Sequence, residues 1–166
     1  MRPELTHKDG NILDFLNQFG VCRKEHLSCF VGYNIKNLYR LQQNNKIVIE
    51  DECIKIKAIQ IENAEQENVL KVLDILQILY QDKKITKDII SVDLPYYAAA
   101  KLAEVEIFMY FTIVNKGREN IQCRLIDREN YGNFVLILES EDQIDKIKLN
   151  TLADKVFIYE NEVKKR

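Results

Sequence analysis

The chain has 166 residues, 46% hydrophobic and 30% charged, with a net charge of −2 at pH 7. That composition suits one ordinary globular domain or two small ones, and excludes a disordered polymer. The weak negative charge excludes a strongly basic protein that grips any phosphate backbone, and no apolar run reaches the length of a membrane span.

The start, "MRPELTHKDGN", lacks the hydrophobic stretch of a signal peptide. Cys22, Cys29, Cys53 and Cys123 are too scattered for a disulfide framework. The expectation is a soluble, cytoplasmic protein with free buried thiols and no membrane partner. Two Pro and five Gly favour long regular elements.

Residues 9–19, "DGNILDFLNQF", place Ile12, Leu13, Phe15, Leu16 and Phe19 on one helical face, with Asp9 or Asn11 as the cap and Gly20 as the stop. "VCRKEHLSCFVG" predicts a second helix with Leu27, Phe30 and Val31 inward, ended by Gly32. "YNIKNLYRLQQNN" predicts a third, with Ile35, Leu38, Tyr39 and Leu41 at helical spacing, a core face of Ile35, Leu38 and Leu41, and a left-handed exit at Asn44-Asn45. In "KIVIEDECIKIK", Ile47, Ile49, Ile54 and Ile56 alternate around the acidic turn Glu50-Asp51-Glu52, the pattern of a hairpin. Three short helices and a hairpin in this order predict a winged helix over residues 1–60.

"ENAEQENVLKVLDILQILYQ" is apolar nearly all round its second half, so residues 61–84 read as a connecting helix buried on more than one side, or as half of a dimer seam. Residues 85–166 predict a small α/β domain. "PYYAAAKLA" and "EVEIFMYFTIV" read as strands, "NKGRENIQCRLIDREN" as a turn and a helix, and "NFVLILE" as an apolar strand. "SEDQIDKIKLN" opens like a helix and "DKVFIYENEV" like a last strand, before a frayed "EVKKR".

Three stretches, "ILDFLNQFGVCRKEHLSCFVGYNIKNLYRLQQNNKIV", "LPYYAAAKLAEVEIFMYFTIV" and "NFVLILESEDQIDKIKL", resemble the replication-relaxation family of plasmid and conjugative-element proteins. The resemblance covers most of the chain as a pattern of elements. It implies an accessory protein of a mobile element, acting on DNA or on a DNA-processing complex. It also implies a second half similar in layout to nuclease sheets, which confers no activity by itself. The expected fold is therefore α+β: a winged helix-turn-helix, a long helix, and a mixed sheet flanked by helices without a nuclease active site.

Charge is unevenly spread. Residues 1–57 hold nine Lys and Arg against seven Asp and Glu, and no acid lies between Glu25 and Glu50. Lys36, Arg40 and Lys46 fall in that gap. In a helix-turn-helix the second helix of the pair enters the major groove. Tyr33, Asn34, Lys36, Asn37, Arg40 and Lys46 are thus the candidate DNA contacts: Arg suits guanine, Asn suits adenine, and Lys suits phosphate. The acids at the hairpin tip would repel phosphates, so either the wing stays clear of DNA or the domain binds protein.

Other chemistry is less well served. Cys22, His26, Cys29 and Cys53 are zinc-type ligands but lack a tight Cys-x2-Cys knuckle, and buried thiols with one surface His explain them without metal. Asp93, Glu104 and Glu106 with Lys101, or Glu139, offer carboxylates for a nuclease metal without the usual order of such residues. Tyr80, Tyr96, Tyr97, Tyr110, Tyr131 and Tyr159 suit base stacking or a half-buried core. The expected function is a non-enzymatic DNA-binding accessory or regulatory protein that uses no cofactor. Its expected partners are duplex DNA, a second copy of itself, or a replication or transfer protein. The alternative is a protein-interaction module that does not touch DNA.

Overall fold

Thr6 starts the first helix. Its hydroxyl accepts from the Asp9 backbone N–H, and the Asp9 carboxylate accepts from the Thr6 N–H, a reciprocal box that caps α1 (His7–Phe19). Asp9, expected as a cap residue, instead occupies the third helical position. The computed structural model that shows this describes residues 1–129, 132–150, 153–160 and 162–165.

The chain is α+β and divides into two compact units, 1–77 and 78–166. The first unit runs α1, β1 (Val21–Arg23), α2 (Lys24–Phe30), α3 (Ile35–Gln43), β2 (Ile47–Glu50) and β3 (Cys53–Ile56). The three strands form an antiparallel sheet in the order β1-β3-β2. Strand β1 is absent from the sequence reading because three residues are too few to show a period. Ile12, Leu16, Leu27, Leu38, Leu41 and Ile54 make the core and are fully buried. Asn45 leaves α3 with φ 60°, the left-handed exit expected there.

Gly20 ends α1 with φ 78°, a conformation open to glycine, and any Cβ there would collide with Ile61 Cδ1. The β2–β3 turn is Asp51-Glu52 with φ 47° and 68°, positive at both positions as a tight hairpin turn requires.

Helix α4 (Asn63–Gln81) spans the division between the units. No residue from 68 to 80 is exposed. Leu70, Val72, Leu73, Ile75, Leu76 and Leu79 are buried in it.

The second unit holds β4 (Ile85–Ser91), β5 (Ala98–Leu102), β6 (Phe108–Val114), α5 (Glu119–Arg128), β7 (Phe134–Leu138), a 3-10 helix (Glu141–Lys146), β8 (Lys155–Glu160) and β9 (Glu162–Lys165). The sheet is mixed, in the order β4-β5-β6-β7-β8-β9. Strands β6, β7 and β8 are parallel and the other neighbours antiparallel. All five residues of β7 are buried, the signature of a central parallel strand. Tyr96, Val114, Ile126, Phe134, Leu136 and Leu138 pack together as a hydrophobic core.

Both edge strands depart from the sequence reading. In β4 a register shift between Ile85 and Ile89 breaks the two-residue period, and Lys87 and Asp88 are exposed. Strand β9 takes up most of the "EVKKR" end expected to fray, pairing Lys165 with Phe157. No helix among the described residues is long and apolar enough to cross a membrane.

Candidate nucleic-acid interface

Helix α3 is capped by a second reciprocal box. The Asn34 side chain accepts from the Asn37 N–H at 3.2 Å, and the Asn37 carbonyl oxygen accepts from the Asn34 N–H at 2.9 Å. This turns Asn37 back into the fold, where its amide donates to Asp9 Oδ1 at 2.8 Å. Arg40 Nε donates to Asp9 Oδ2 at 2.6 Å. Asp9 is fully buried and also accepts from the Thr6 N–H and hydroxyl at 2.7 and 2.8 Å. Burial alone would raise its pKa. The bonds from Arg40, Thr6 and Asn37 outweigh that and hold it at about 2.

Two of the six expected contacts are thus committed to the fold. Asn37 is only 3% exposed, a correction to its expected place on the outer face. Arg40 is half-buried and ion-paired, which fixes its guanidinium against α1. Asn34, Lys36 and Lys46 are exposed, and Tyr33 is half-buried. Neither Lys36 nor Lys46 pairs with an acid among the described residues.

The outer face contains residues that the sequence reading assigned elsewhere. Ile35 is 50% and Tyr39 59% exposed, although the sequence reading puts Ile35 on the core face and Tyr39 in the same helical repeat. Gln42 and Gln43 are exposed beside them. At about 100° per residue, Ile35, Lys36, Tyr39, Gln42 and Gln43 span an arc of about 120° that excludes the buried Leu38 and Leu41. The spacing Asn34-x-x-Asn37 is the signal that could have found this row. It sets the helix start at Ile35, and the outward positions follow by counting turns.

Two clefts lie at the ends of α3. One, of about 520 Å³, is lined by Lys8, Tyr33, Asn34, Arg40 and neighbours. The other, of about 390 Å³, is lined by Asn45, Lys46, Lys57 and residues of α1 and β3. Neither is lined by an acid. At the hairpin tip Glu50 is neutralised by Lys55 at 2.8 Å, while Asp51 and Glu52 are exposed.

The zinc and nuclease sets do not assemble. Among the described residues no three His, Cys, Asp or Glu side chains are grouped to hold a metal. His26 is fully buried rather than on the surface. The Arg23 N–H donates to its Nδ1 at 3.1 Å, so the ring proton lies on Nε2 and reaches Asp74 Oδ1 at 2.7 Å. Both nitrogens are therefore occupied. Burial pushes the Cys22 thiol well up, away from the thiolate that metals bind. Asp93, Glu104 and Glu106 are exposed. Glu104 and Glu106 lie in the loop before β6, not in the strand expected, and Lys101 reaches Glu106 at 3.4 Å.

The carboxyl ends of β6 and β7 are where open α/β sheets commonly bind ligands. Here the chain fills that place itself. Gln143 is fully buried, donates to the Val114 carbonyl at 2.9 Å and accepts from the Glu139 N–H at 2.7 Å. Glu139 accepts from the Lys116 N–H at 2.7 Å, and Glu119 from the Gly117 N–H at 3.1 Å. Its own backbone N–H and that of Gly117 hold the Glu119 carboxyl below its usual range. An incoming phosphate would meet carboxylates on these amides.

Of the tyrosines, Tyr96 is fully buried, and Tyr80, Tyr97, Tyr110 and Tyr159 are half-buried. Tyr131 lies outside the described residues. Comparison with protein-family models, with curated proteins and with solved structures gives no match for this chain.

Proposed function

We propose that residues 1–60 form a winged helix-turn-helix that reads duplex DNA with α3. On this reading the protein is a non-enzymatic accessory or regulatory factor of a bacterial mobile element. The observation that carries the DNA reading is the outer face of α3, which is acid-free, carries Lys36, and runs to Lys46 just beyond its end. The order α-β-α-α-β-β with the sheet order β1-β3-β2 supports the winged-helix assignment. Cationic clefts at both ends of α3 support backbone contact. The nine-residue helix is about 13 Å long, and the major groove is about 12 Å wide. The mobile-element assignment rests on the resemblance to the replication-relaxation family.

In this reading the helix docks and the wing stays clear, because Asp51 and Glu52 would repel the backbone. Exposed Ile35 and Tyr39 favour one other reading, a module that grips a replication or transfer protein without touching DNA. Fluorescence anisotropy of the full chain with duplex DNA at rising salt separates the two. DNA binding predicts affinity that falls with salt and is abolished by Lys36→Glu. No binding even at low salt overturns it and sends the search to protein partners.

A further inference from the structure

Resting on that reading, we infer that α3 is built to read A·T base pairs in the major groove, taking thymine methyl groups on Ile35 and Tyr39 and adenine edges on Gln42 and Gln43. The argument begins with what is withheld. Arg40, the side chain suited to guanine, is bound through Nε to Asp9 at 2.6 Å. Asn37, which could read adenine, is 3% exposed and bonded to the same carboxylate.

Besides Lys36 and the cap residue Asn34, what remains outward is two apolar side chains one turn apart and two glutamines. Ile35 opens the helix, the position from which recognition helices reach base edges. Tyr39 stands four residues on, so the pair forms a contiguous apolar strip rather than scattered exposure. In the major groove only thymine presents a methyl group, which is the natural contact for such a strip. Gln42 and Gln43 continue the row, and a glutamine amide pairs bidentately with adenine N6 and N7. Lys36 sits at the margin of the arc and Lys46 beyond its end, where the phosphates of the groove walls lie. The face therefore offers phosphate contacts at its edges and A·T chemistry at its centre.

The test uses three duplexes of equal length: one rich in A·T, the same sequence with uracil in place of every thymine, and one rich in G·C. Uracil keeps the pairing and removes only the major-groove methyl. The full chain is expected to bind the A·T duplex about ten-fold or more tighter than the G·C duplex, and to lose several-fold with uracil. Ile35→Ala with Tyr39→Ala, both at exposed positions, is expected to weaken binding to the A·T duplex and to erase the thymine–uracil difference. Equal affinity for the thymine and uracil duplexes, or a preference for G·C, overturns the inference and leaves the DNA reading standing. No binding to any of the three overturns both.

Discussion

Replacing Asp9 with Ala removes the carboxylate that joins α1 to α3. The cost follows from what each partner loses. The Asn37 amide, 3% exposed, keeps a buried donor with no acceptor, which costs about 1–3 kcal/mol. The Thr6 N–H loses its half of the capping box, about 1 kcal/mol. Arg40, with a quarter of its side chain exposed, keeps a partly solvated charge, so its loss lies below the full penalty of a buried pair. These losses share one site and do not add fully. The expected destabilisation is about 3–4 kcal/mol, a large share of the stability of a small domain.

Urea unfolding followed by circular dichroism measures it directly. With a slope of about 1.5–2 kcal/mol per molar, the midpoint falls by about 2 M. pH supplies an independent check. Asp9 titrates at about 2 in the fold against an ordinary 3.8, so the folded-state value is depressed. Its stabilisation is then complete above about pH 4 and is lost as pH falls through about 2. The gap between wild type and Asp9→Asn should be full at neutral pH and close over that window. A loss below about 1 kcal/mol for Asp9→Ala, or a gap that does not change with pH, would refute the hub. The result also bears on function. Arg40→Glu would put a like charge beside Asp9 and damage the fold, so its loss of DNA binding would prove nothing. Lys36, exposed and outside the hub, is the cleaner probe.

Lys36→Ala should leave stability within about 0.5 kcal/mol and lower the slope of log affinity against log salt by about 1. Gly20→Ala should destabilise by about 2–4 kcal/mol in urea unfolding, because φ 78° strains any other residue and Ile61 fills the space; adding Ile61→Ala should recover part of the loss. Replacing Asp51-Glu52 with Asn-Gly suits a turn with φ positive at both positions, so the melting temperature should rise. The same change removes two acids from the hairpin tip, and on the proposed reading DNA affinity at low salt should not fall. Gln143→Ala strands the Val114 carbonyl and the Glu139 and Ser140 N–H groups, and should cost about 2–4 kcal/mol by the same assay.

Helices α1 to α4 were legible because apolar residues recur along them at helical spacing. The hairpin was legible because isoleucines alternate on both sides of a polar turn. Strands β1, β4 and β9 were hidden for separate physical reasons: three residues carry no period, a bulge breaks one, and an edge strand is charged to discourage further pairing. The fully satisfied network around Gln143 was also hidden, since its members are distant in sequence and individually ordinary.

The candidate site was legible as a segment and misread residue by residue. Asn37 and Arg40 have the chemistry of DNA readers, and so does Lys36. What separates them is Asp9, 28 residues before Asn37, which claims two and leaves the third. Burying polar side chains next to a carboxylate stabilises the fold and at the same time subtracts them from the surface. A composition count cannot see that subtraction. The same step explains why Ile35 and Tyr39 face outward. Once the capping box pins Asn37 inward, helical geometry turns Leu38 and Leu41 to the core and Ile35 and Tyr39 away from it. The rotation of α3 about its axis therefore decides which side chains the helix presents outward. Two asparagines three residues apart set it.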